Sequence, residues 1–97
     1  MKPAMAVIAV TLIFVNPAFK EYIATKEGYY VAGSLPARLH NPGALVYIGQ
    51  AGALRHKSGF AYFVDDKTGW AALDADLREK FRLKKSLKKA WTYLREH

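Results

Sequence analysis

The sequence predicts a small α+β domain, with a short two- or three-stranded antiparallel hairpin between helices and an apolar helix at the N-terminus. Three observations predict it. Apolar residues recur at helical spacing through Trp70, Leu73, Leu77 and Phe81. Two short segments, 45–48 and 60–64, are rich in β-branched and aromatic residues, as strands are. Between and before them lie clusters of Gly, Pro, Asn and Ser that mark turns.

The N-terminal element is the run AMAVIAVTLIFV at 4–15, apolar at eleven of its twelve positions and preceded by Lys2. Sixteen helical residues span roughly 24 Å, short of the roughly 30 Å of a hydrocarbon core. Flanking Lys2 and Lys20 bring the segment closer to a span by snorkelling. The readings left open are a membrane anchor or membrane-lying helix, an uncleaved export signal, and a buried helix. The organisation expected is an apolar segment over 1–20 followed by a domain over 21–97. Asn16 and Pro17 read as cap and first residue of the next helix, 17–26, which places Phe19, Tyr22 and Ile23 on one side.

Glu27 falls at the end of that helix, with Gly28 as its stop. The helix dipole disfavours a carboxylate there, and the neighbouring Tyr29 and Tyr30 add desolvation, so both effects raise its pKa. A carboxylic acid held protonated is what glycosidic cleavage needs, because the leaving oxygen must receive a proton. A surface glutamate at a helix end is the plainer reading. His40 has two readings as well, a donor to a substrate oxygen or a partner for a loop carbonyl. Asn41-Pro42-Gly43 reads as a type II turn with Gly43 left-handed, and the Asn41 side chain ties back onto the backbone.

The strands 45–48 and 60–64 are expected to pair across a loop whose tip carries Arg55, His56 and Lys57. Asp66 or Thr68 is expected to cap the helix that follows. A second amphipathic pattern runs through Leu83, Leu87, Trp91 and Leu94, and its polar side carries Lys84, Lys85, Lys88 and Lys89. Eight of the fifteen basic residues lie in 78–97, so the net charge of +7 is concentrated at that end. A basic amphipathic helix contacts an anionic membrane or tracks phosphates, and a solvated helix face is the alternative. With an apolar N-terminus in the same chain, membrane ranks above nucleic acid.

Several chemistries are excluded. The chain has no cysteine, so disulfides and thiolate chemistry are absent. It has no glycine-rich phosphate loop, no His-Glu-x-x-His and no nucleophile elbow. Its three histidines lack metal-ligand spacing, so neither a metal nor a cofactor is expected.

The runs Glu27 to Tyr30, Gly33-Ser34, Arg38 to Leu45, Gly59 to Phe63 and Gly69 to Leu73 together resemble a family of small phage and prophage proteins. That family carries an Asn-Asn-Pro-Gly-Asn-Leu/Ile-Arg motif, then a Phe-x-x-Phe strand and a Gly-x-x-Ala-Leu helix. Its members are labelled virion structural proteins, and some are distantly similar to lysozyme-type muramidases. The similarity covers about residues 24–80. Asn41, Pro42 and Gly43 match the motif, whereas His40 stands for its first Asn, Ala44 for its second polar position and Val46 for its arginine. The resemblance implies a lysozyme-like fold with Glu27 as catalytic acid/base and Tyr30, His40, Asn41 and Tyr62 as substrate-binding residues. It implies peptidoglycan as substrate, cut by a muramidase or by a single-acid lytic transglycosylase, in a membrane-associated virion or a bacterial envelope. Two other classes stay open: a non-enzymatic virion component held by an internal membrane or capsid proteins, and a basic nucleic-acid packaging protein.

Overall fold

The computed structural model of the protein describes residues 16–96. The apolar run at 4–15, and with it the expected N-terminal helix, lies outside the described residues. Within them the chain is a small α+β domain with one two-stranded antiparallel sheet. Its elements are α1 (Pro17–Lys26), α2 (Leu35–Arg38), β1 (Leu54–Arg55), β2 (Ala61–Tyr62) and α3 (Asp66–Glu96). The boundary expected at residue 20 falls inside α1.

The helix ends follow local chemistry. Asn16 caps α1, its Oδ1 accepting from the Ala18 N–H at 2.8 Å, and Pro17 occupies the first turn. At the other end Gly28 turns left-handed (φ 81°), and the amides of Gly28 and Tyr29 return to the carbonyls of Thr25 and Ala24. This paired closure is a Schellman motif, with Glu27 as its C-cap residue. Ala24 is the buried residue of α1, whereas Tyr22 stands exposed with the Lys26 ammonium 5.7 Å above its ring. The α2 turn was not expected. Ser34 caps it by accepting from the Ala37 N–H and donates its own hydroxyl to Gly28 O at 2.7 Å.

The strands are displaced from their expected places. Val46 makes only an isolated bridge with Phe60, while Leu54 and Arg55, expected near the loop tip, pair with Tyr62 and Ala61. Backbone bonds Ala61 N to Leu45 O and Tyr47 N to Gly59 O nevertheless hold 45–47 beside 59–61. The 59–62 strand therefore lies between the other two segments. Side chains alternate across it. Ala61 faces inward, fully buried, and Val46, Phe60, Tyr62 and Leu54 share the outer face.

Asn41 joins this sheet to the helical part. It is 1% exposed, and its amide donates to Leu45 O and Ala61 O at 3.0 Å each while its Oδ1 accepts from the Leu45 N–H at 2.9 Å. The turn it begins is closed by Ala44 N to Asn41 O. Gly43 is not left-handed. Positive φ falls instead on His40 (51°) and Ala44 (47°), so the expected type II turn is corrected to a turn followed by a left-handed alanine.

Asp65, rather than Asp66 or Thr68, caps α3, its Oδ1 accepting from both the amide and the hydroxyl of Thr68. The two amphipathic patterns form one continuous helix of 31 residues, about 46 Å long at 1.5 Å per residue. Its first half is buried on Gly69, Ala72, Leu73 and Leu77. Past the half-buried Phe81, residues 82–85 are exposed. Lys20 clasps α1 to α3 through Asp74 at 3.0 Å, and Arg78 pairs with the same carboxylate at 2.7 Å. These cations hold the Asp74 carboxyl below the usual range, the Arg78 hydrogen bond contributing most.

Two backbone positions predict opposite outcomes. A Cβ on Gly69 would sit 1.8 Å from the His40 carbonyl oxygen, so the backbone of the 40–42 turn packs directly on the helix there. Gly69→Ala, ordinarily stabilising by about 1 kcal/mol in a helix, should destabilise by about 1–3 kcal/mol through overpacking. Ala44→Gly should stabilise by up to about 1 kcal/mol by relieving the left-handed alanine. Urea denaturation of the two variants checks both signs.

Candidate functional site

The end of α1, the α2 turn, the 41–44 turn and the central strand meet around a cleft of about 190 Å³. Glu27, Leu35, Pro36, Leu39, Asn41, Ala44 and Phe60 line it. The volume is below the roughly 300–1,000 Å³ of pockets that enclose a whole small ligand. Most of the lining is apolar, and Asn41 is committed to the backbone. The ionisable group at the cleft is Glu27.

The Glu27 carboxylate differs from its peers in having no hydrogen-bond or ion-pair partner among the described residues. Glu21 accepts from the Tyr30 hydroxyl, Asp65 from Thr68, and Asp66 from Tyr29 and His40. Asp74 is held by Lys20 and Arg78, and Glu79 by Arg82 at 2.6 Å. Asp76 Oδ2 is buried without a hydrogen bond, but the Lys80 ammonium lies 2.9 Å away as an ion pair. The Schellman closure fixes the Glu27 backbone, so an unengaged carboxylate is carried on a rigid support.

The other expected site residues are placed apart from this cleft. Tyr30 is 56% exposed, and its hydroxyl is taken by Glu21, whose hydrogen bond is the main cause of a phenol pKa pushed up to about 12. His40 belongs to a separate network. Its Nδ1 lies 3.0 Å from Asp66 Oδ1, which also accepts from the Tyr29 hydroxyl at 2.6 Å. Tyr29 packs edge-on against Tyr30 and Trp70, with ring centroids 5.0 and 5.6 Å away. Burial first, then the bond to Asp66, pushes its phenol up to about 12. Those two donors, Tyr29 more than His40, hold the Asp66 carboxyl below its usual range. Tyr62 does not line the cleft, but it lies two residues from Phe60 on the same outer sheet face and extends the aromatic surface away from the rim. Lys84, Lys85 and Lys89 are exposed along α3, and Lys88 belongs to the same helix.

Sequence reading missed Leu35, Pro36, Leu39 and Phe60 as cleft residues. The Ser34-Leu35-Pro36 cap signal was available for α2, but the closure of α2 over the strand is long-range. Among the described residues no group of His, Asp and Glu is arranged to hold a metal ion, and no helix is long and apolar enough to cross a membrane. No protein-family model, curated protein or solved structure matches the chain.

The Tyr29–Asp66–His40 network sets a pH expectation. A phenol raised above its unfolded value adds stability that is complete below about pH 10 and is lost as pH rises through about 12. Asp66→Asn should move one tyrosine titration down toward its ordinary value and leave the one held by Glu21 in place. Ultraviolet titration of the phenols reads both, and two unmoved titrations would show that Asp66 does not act on Tyr29.

Proposed function

We propose that the chain is a lysozyme-like, virion-associated protein of phage origin that acts on peptidoglycan glycan strands, with Glu27 as the acid/base. The observation that carries this reading is the unengaged Glu27 carboxylate at a helix end, on the rim of a small, largely apolar cleft. Supporting it are the aromatic surface of Phe60 and Tyr62 beside the cleft and the motif similarity across residues 24–80.

One acid in the lining favours the transglycosylase chemistry over a two-carboxylate mechanism. Glu27, protonated, gives its proton to the glycosidic oxygen as the bond to the anomeric carbon breaks. The resulting carboxylate then takes the proton of the same sugar's 6-hydroxyl as that oxygen closes onto the anomeric carbon. The products are a shortened strand and an anhydro-sugar end, and Glu27 is regenerated. No water is consumed and no second carboxylate is required. Leu35, Leu39 and Phe60 line the cleft beside the carboxyl. His40 and Asn41 act here as framework, since the side chains of both are bound within the protein.

Lysis of purified sacculi by the full chain and by Glu27→Gln tests the reading. General acid–base catalysis is worth about 10²–10⁴ in rate, so the variant should lose at least about a hundredfold. Equal lysis by the two proteins would remove Glu27 from the mechanism. Sacculus binding without lysis by either would make the chain a glycan-binding component of the virion.

A further inference from the structure

A second hollow lies apart from the Glu27 cleft. An open groove of about 540 Å³ at the far end of the hairpin is lined by Tyr47, Arg55, His56, Lys57 and Gly59. The Arg55 guanidinium lies 5.0 Å over the Tyr47 ring, which orients it without neutralising it. His56 Nδ1 accepts from the Ser58 amide at 3.1 Å and contacts the Ser58 hydroxyl at 2.8 Å. In the neutral imidazole that arrangement leaves the proton on Nε2 as a donor. No carboxylate pairs with Arg55, His56 or Lys57 among the described residues, whereas Lys20, Arg78, Lys80 and Arg82 each have one.

An aliphatic side chain is exposed at the same end of the sheet, where the Tyr47 amide bonds to Gly59 O. Ile48, the residue after Tyr47, is 76% exposed. The Ile48 turn is built rather than loose. Gln50 Oε1 accepts from the Ile48 amide at 2.8 Å, and its Nε2 donates to Val46 O at 3.0 Å. A turn held by two hydrogen bonds thus presents an isoleucine to solvent at the end of the sheet that also carries the unpaired cations of the tip. A nucleic-acid backbone or a wall glycan would satisfy the cations and leave the isoleucine in water. An anionic lipid surface satisfies both, with phosphate at the headgroup level and hydrocarbon just beneath it.

We propose that the hairpin tip docks on an anionic lipid surface, with a headgroup phosphodiester in the Tyr47–Arg55–His56–Lys57 groove and Ile48 inserted at the interface. The contact is distinct from the basic stretch of α3 and does not depend on the glycan reading of Glu27. It gives the domain a fixed orientation on a membrane, set by the hairpin.

The absence of cysteine allows a single reporter. The full chain carrying Ile48→Cys, labelled with an environment-sensitive dye, is mixed with phosphatidylcholine vesicles with or without phosphatidylglycerol. Ala71→Cys, on the exposed side of α3, is the reference position. The Ile48 label should shift to the blue and be quenched from the lipid phase only when phosphatidylglycerol is present, and the Ala71 label should stay in water. Arg55→Gln and Lys57→Gln should each weaken the half-saturating lipid concentration about fivefold, the factor for one cation at an anionic surface. A chain that sediments with the vesicles while its Ile48 label stays in water would overturn the proposal. So would an oligonucleotide or soluble wall fragment that occupies the groove at lower concentration than the vesicles and leaves that label unshifted.

Discussion

The buried amide of Asn41 is the contact on which the rest of the domain depends. Its three hydrogen bonds reach two chain segments, at Leu45 and Ala61, and reinforce the backbone bond that joins them directly. An unpaired polar group in that position would cost about 1–3 kcal/mol, so the side chain and the two segments specify one another. With Asn41 in place, Pro42 is buried, Gly43 comes against Leu73, and the His40 carbonyl rests on Gly69. The helix and the sheet are thereby joined through a turn as well as through the small apolar core of Ala61, Phe63 and Ala72, as suits a domain with few residues to bury.

Charge completes the arrangement and separates support from function. Carboxylates are scarce in a chain of net charge +7, and all but Glu27 of those whose side chains are described are engaged: clasping α1 to α3, capping α3, anchoring Tyr29 and Tyr30, or pairing along α3. Glu27 is left free on a closed helix end. The cations of the hairpin tip are left free in turn. The two surfaces use different residues of one small sheet, Phe60 for the cleft and Gly59 for the groove.

Local chemistry was legible in the sequence, and long-range pairing was not. Asn16, Pro17 and Gly28 marked the ends of α1 because capping is decided within a few residues, and Trp70 to Phe81 marked α3 by periodicity. The strands were misplaced because two-residue ladders carry almost no pattern of their own; Asn41, not strand propensity, decides which residues lie opposite. Asp65 displaced Asp66 as cap because Asp66 is drawn to Tyr29 and His40, a contact across more than twenty residues. Among the cleft residues Glu27 and Asn41 were legible, and Leu35, Leu39 and Phe60 were not. The motif that residues 40–46 resemble also reads differently in three dimensions. The positions where it has Asn and this chain has His40 and Ala44 are the two left-handed non-glycine positions. Asparagine is favoured at such positions for its backbone.

The central claim is that Glu27 and the apolar lining beside it form the surface that meets a glycan strand. Backbone amide shifts recorded while soluble peptidoglycan fragments are added to the full chain test it directly. The account predicts saturable shifts confined to Glu27, Leu35, Leu39, Ala44 and Phe60, with Arg55 to Gly59 unmoved. Shifts absent from those five residues, or gathered instead around the hairpin tip, would contradict it.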